Sequence, residues 1–129
     1  MRPFALSMIF VLLAYASATD QSAQTNSKII RGWLSDQQCA EGRASSGTFT
    51  GTNPRCAKEC VAKGRKIVLI DPDGKRVLTI QNQTAARSNI GDYVEIQGTL
   101  SSTKRLHVNS LQKISTGVAG CERTEPLKR

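Results

Sequence analysis

The amino-acid sequence predicts a mainly β domain: a small closed barrel of five strands, with a short helix after the first strand and a short helical turn between the third and fourth. Three observations predict it. Five runs rich in Ile, Val, Leu and Thr are separated by turn residues. One helical segment carries both a start and a stop signal. The chain has 129 residues, enough for one domain and too few for two ordinary ones.

Lys28–Leu34 (KIIRGWL) reads as the first strand, with Ile30 and Leu34 on one face and Gly32 between them, where a missing side chain permits bending or close approach. Residues Ser35–Pro54 are rich in Gly, Ser, Thr and Asn and read as a loop. Ser35-Asp36 reads as a strand-end turn whose aspartate caps local backbone N–H groups. Asn53 and Pro54 are the N-cap and first residue of a helix, and Gly64 is its stop. Between them Cys56, Ala57, Cys60 and Val61 share one face, while Arg55, Lys58, Glu59 and Lys63 occupy the other.

Lys66–Ile70 and Lys75–Ile80 form a hairpin across Asp71-Pro72-Asp73-Gly74, where proline pre-sets a turn dihedral and glycine is expected to take the left-handed position. Asn82–Asn89 suits one or two helical turns, stopped by Gly91. Tyr93–Leu100 alternates, with Val94, Ile96 and Leu100 inward and Tyr93, Glu95 and Gln97 outward. After a turn at Ser101–Lys104, Arg105–Ile114 points Leu106 and Val108 inward. Leu111 and Ile114 fall out of that phase, which predicts a bulge near Asn109-Ser110. The order strand, helix, strand, strand, short helix, strand, strand describes an OB-like Greek-key barrel. Closure is favoured over an open sandwich because so few strands would otherwise leave long unpaired edges.

The first residues give an address. Arg2 precedes an apolar run, Phe4–Tyr15, and Ala16-Ser17-Ala18 then forms a small-residue cleavage site. A run of about 12 apolar residues is short of the ~20 that span a bilayer. The expected division is a signal peptide at 1–18, a flexible leader at 19–27, an OB-like domain at 28–115 and an irregular basic tail at 116–129. The product is then secreted or periplasmic, monomeric, and without a transmembrane span once the signal is removed.

Gly32-Trp33-Leu34-Ser35-Asp36-Gln37-Gln38-Cys39 resembles the Gly-x-Ile/Leu-Ser-Asp-x-x-Cys opening of a family of small exported bacterial OB-like proteins of unknown function. The continuation Cys56-Ala57-Lys58-Glu59-Cys60-Val61 and the closing run Gly91–Ile114 are similar to that family as well. Members often carry a histidine shortly after the first cysteine, whereas Ala40-Glu41-Gly42-Arg43 follows here. The resemblance implies fold and address rather than an activity.

Four cysteines in an exported chain imply disulfides. The favoured pairing is Cys39–Cys60 with Cys56–Cys121, and the swapped arrangement stays open, since Cys56 and Cys60 lie one turn apart on one face. The alternative is a thiolate metal site of Cys39, Cys56 and Cys60, suited to Cu(I) or zinc, with His107 as a fourth ligand only if the last strand passes the helix. His107 is the sole histidine, which excludes any site needing two. Ser35, Asp36 and His107 lack the nucleophile elbow of a hydrolase, and the absence of a C-x-x-C argues against a thioredoxin-type oxidoreductase.

The formal charge of +8 falls to about +7 when Arg2 is removed. Arg31, Lys63, Arg65, Lys66, Lys104 and Arg105 are the candidate anion-binding residues, for an anionic polysaccharide, lipid headgroups or nucleic acid. Trp33 and Tyr93 fall on strands that neighbour each other in an OB barrel, as a two-ring stacking platform or as packing beneath the helix. The expectation is therefore a non-catalytic binding or structural domain of the cell envelope without a cofactor, and the alternative is a thiolate metal-binding protein.

Overall fold

The computed structural model describes residues 26–116. The expected signal peptide, most of the expected leader, nearly all of the expected tail and Cys121 lie outside the described residues. The elements run β1 (Ser27–Asp36), α1 (Gln37–Ser45), α2 (Pro54–Ala62), β2 (Ile67–Asp71), β3 (Arg76–Ile80), two 3-10 turns (Gln83–Ala85 and Arg87–Asn89), β4 (Tyr93–Leu100) and β5 (Arg105–Ser115). No helix among the described residues is long and apolar enough to cross a membrane.

The fold is mainly β, as expected. The five strands form one mixed sheet that closes on itself in the order β1-β2-β3-β5-β4. Every pairing is antiparallel except β3 with β5. β1 pairs on both sides, with β2 through Trp33–Asp36 and with β4 through Ser27–Trp33. Gly32 makes that double pairing possible, because a Cβ there would run into the carbonyl oxygen of Ile70. The expected bulge is present: Gln97 faces Ser110 and Gly98 faces Val108, so Asn109 is the extra residue.

Leu34, Leu69, Leu78, Ile80, Ile96 and Leu106 fill the interior, each with 0–1% of its surface exposed. Fully burying one such side chain contributes about 1.5–3 kcal/mol. α2 adds Ala57 and Val61 to this core, and the 3-10 region adds Ala86 and Ile90. A second, smaller cluster lies on the outer face of β2. There Val68 and Ile70 meet Ala40 of α1, with Trp33, Phe49 and Val77 packed around them. β2 is thus buried on both faces, which is why it reads as an unbroken apolar run rather than an alternating one.

Two expectations fail. The segment expected to be loop from Ser35 holds the last two residues of β1 and then α1. α1 buries only Ala40, so it has no apolar stripe for a periodicity reading to find, and it contains Gly42. It forms because Asp36 caps it and because Ala40 docks on the outer cluster. In the β2–β3 turn the left-handed residue is Lys75, at φ 46°, and not Gly74. A Cβ on Gly74 would sit 2.5 Å from an Asp71 carboxylate oxygen and 2.6 Å from Arg76 Nε, so those two side-chain ends would have to shift to admit one.

Candidate metal centre

Both helices open in the same way. The side chain of Asp36 accepts the N–H of Cys39 at 3.0 Å, and that of Asn53 accepts the N–H of Cys56 at 3.1 Å. Each cap therefore stands three residues before a cysteine, and each cysteine lies in the first turn, where unpaired N–H groups and the helix dipole favour negative charge. Pro54 occupies the first position of α2. Cys60 follows Cys56 by one helical turn on the same face.

The result is a triangle of sulfur. The Sγ atoms of Cys39, Cys56 and Cys60 all lie within 4.8 Å of one another, and those of Cys39 and Cys56 are 3.6 Å apart. All three residues are half-buried free thiols. The expected Cys39–Cys60 bridge is absent, because a disulfide requires about 2.05 Å between sulfurs and Cys39 has its hydrogen-bonding contact with Cys56. The expected Cys56–Cys121 bridge falls outside the described residues.

The triangle is surrounded by buried polar groups. Asp36 is fully buried; one carboxylate oxygen caps α1, while the other, Oδ1, has no hydrogen-bond partner. Ser35 and Thr52 share a buried 2.7 Å hydrogen bond that ties the segment before α2 to the end of β1. Burial pushes the Cys39 thiol up to about 12, helped by its hydrogen bond with Cys56 and by the Asp36 carboxylate. Burial also raises Cys60, with the charge of Asp36 acting in the same direction. Metal-free, these groups hold their protons.

The other candidates are dispersed. Arg31 Nε donates to Glu95 at 2.7 Å across β1 and β4, so its charge is already paired. Lys63, Arg65 and Lys66 lie between the end of α2 and the start of β2, whereas Lys104 and Arg105 stand at the β4–β5 turn, one strand, β3, away from β2 in the sheet. Trp33 and Tyr93 are direct partners across β1 and β4, with ring centroids 4.5 Å apart and planes tilted by 45°. Trp33 belongs to the packing around the outer cluster beneath α1, and both rings are partly exposed. His107 lies exposed on β5 opposite Thr99 and is not part of the sulfur group.

Two features of this centre went unread in the sequence: the orphan oxygen of Asp36 and the part of Gln38, which borders Cys60 in a surface depression. The signal for the centre was available as a repeated spacing, Asp-x-x-Cys and Asn-x-x-Cys, a cap followed three residues later by a thiol. No family model matches this chain, and no curated protein or solved structure matches it either.

Proposed function

We propose that this chain is an exported OB-type domain that binds a thiophilic metal ion, Cu(I) or zinc, through Cys39, Cys56 and Cys60. The observation that carries the reading is the sulfur triangle itself. Thiolates around one ion with metal–sulfur distances of about 2.3 Å stand roughly 3.8–4.0 Å apart, so the present spacing needs only sub-ångström adjustment. The sulfurs come from two helices joined by a long segment, which is an arrangement that local helix formation alone does not require.

The strand order, with β3 parallel to β5 and β1 paired on both sides, supports the OB-type assignment. Binding releases thiol protons, so affinity rises with pH. The first turns of α1 and α2 favour the thiolates of Cys39 and Cys56. The domain binds and does not catalyse. An electrostatic surface for anionic polymers is the weaker reading, because Arg31 is already paired with Glu95.

Titration of the reduced full chain with Zn²⁺ and with Cu(I), each against a competing chelator, tests the proposal. One ion per chain is expected, with the three thiols protected from alkylation. Loss of that stoichiometry is expected in a variant with Cys39→Ser, Cys56→Ser and Cys60→Ser together. Binding unchanged by the triple substitution, or no binding against the chelators, overturns it.

A further inference from the structure

The three sulfurs are not equivalent. Cys39 and Cys56 bring their Sγ atoms into contact at 3.6 Å, and they come from different helices. Cys60 shares α2 with Cys56, one turn further on. Side chains so placed on one helix keep their Cβ atoms about 5–6 Å apart, whereas a disulfide needs about 3.5–4.5 Å. Helix geometry therefore disfavours a bond within α2, and the contact between the two helices is the one set to close. Closing it takes an approach of roughly 1.5 Å between the sulfurs.

Burial and the Asp36 carboxylate oppose a bare thiolate at Cys39. Two outcomes remove that penalty: a bound cation, which offsets the charge, or a disulfide, which carries none. Both draw on the same sulfurs. Once Cys39 and Cys56 are bonded, Cys60 is the one thiol left in the group, and a single sulfur does not make a thiolate site. The bond would also join α1, which buries only Ala40, to α2, which is seated in the core.

Resting on the metal-binding reading above, we infer that Cys39 and Cys56 are a reversible dithiol, closed to a disulfide by small-molecule disulfides when the centre is empty and protected when an ion is bound. One thiolate of the pair attacks a sulfur of the oxidant, breaking its S–S bond and releasing one thiol. The second then displaces the other half of the oxidant as a second thiol. Two electrons pass to the oxidant's sulfurs, and the two protons lost by the pair end on the released thiols. Exchange runs through thiolates, so the tightly held Cys39 proton slows it without preventing it. Metal loading and oxidation exclude each other, and reduction restores the site.

The experiment exposes the reduced full chain to oxidised glutathione, with and without Zn²⁺, then blocks the remaining thiols in acid and digests the denatured chain with trypsin. Cleavage after Arg31, Arg43, Arg55, Lys58 and Lys63 puts Cys39, Cys56 and Cys60 in separate peptides. The metal-free chain should yield Gly32–Arg43 joined to Cys56–Lys58, and Cys60→Ser should leave that linkage in place. Free Zn²⁺ at about ten times its dissociation constant should slow closure about tenfold, and the oxidised chain should no longer retain zinc. Absence of the linkage, or Cys39 or Cys56 bonded to another cysteine instead, overturns the inference and leaves the three-sulfur site standing where the reduced chain still binds its ion. Closure at an undiminished rate with zinc bound overturns it as well. Closure in a chain that binds neither Zn²⁺ nor Cu(I) overturns the metal-binding reading, and the protection with it.

Discussion

α1 and α2 are both nine residues long, and each begins with a capped turn that presents a cysteine. Their packing differs. α2 turns Ala57 and Val61 into the interior of the closed sheet, and its apolar face is plain in the sequence. α1 buries Ala40 alone, on the outside of β2, and its other positions are polar or small. One helix is held by an amphipathic face and the other by a cap and a single docking point. The sulfur triangle needs both, so the centre joins a firmly seated element to a lightly seated one.

The largest effect that can break this comparison comes from placing a carboxylate beneath each helix. Val61→Asp should unfold the domain, because an unpaired charge in the interior core costs several kcal/mol. Ala40→Asp should cost about 1–3 kcal/mol and leave the closed sheet intact, since only the outer cluster is disturbed. Denaturant titration of the two variants is the measurement. Equal losses would mean that α1 is as integral to the fold as α2.

The caps give a smaller contrast. Asn53→Ala should lower stability by about 1 kcal/mol, the usual cost of a lost N-cap. Asp36→Ala should cost less, because it also removes a buried carboxylate oxygen that lacks a partner. Comparison of denaturation midpoints at neutral pH checks this. An Asp36→Ala loss larger than that of Asn53→Ala would show that the orphan oxygen is better satisfied than its surroundings indicate.

The smallest effect at neutral pH is the titration of the thiols. Cys39 is raised from its usual value of 9.0 to about 12, so the folded metal-free protein holds that proton more tightly than the unfolded chain. The associated stability is fully present below about pH 9 and is lost as the pH rises towards 12. Ultraviolet thiolate absorbance should therefore develop late in the folded protein. Asp36→Asn keeps a capping oxygen and removes the charge, so it should move the Cys39 and Cys60 transitions down without abolishing the shift, because burial is its largest cause. Unmoved transitions would detach Asp36 from the centre's electrostatics.

Local chemistry was enough for much of the molecule. The alternation of Tyr93–Leu100 placed Val94 and Ile96 inside, the broken phase of Arg105–Ile114 located the extra residue at Asn109, and Asn53-Pro54 marked the start of α2. In each case the cause is a neighbour a few residues away, which a one-dimensional pattern records. The rest depended on contacts distant in the chain. α1 was hidden because its one buried residue is matched by Val68 and Ile70 on a strand beyond the second helix. The role of Gly74 was misread because the reversal places its left-handed residue one position later, at Lys75. Cys39, Cys56 and Cys60 were visible as residues, yet whether they become bridges or a triangle depends on where two helix N-termini meet. Packing of α1 outside the sheet and of α2 into its interior decided that, because only the closed sheet gives the two helices a common place to dock.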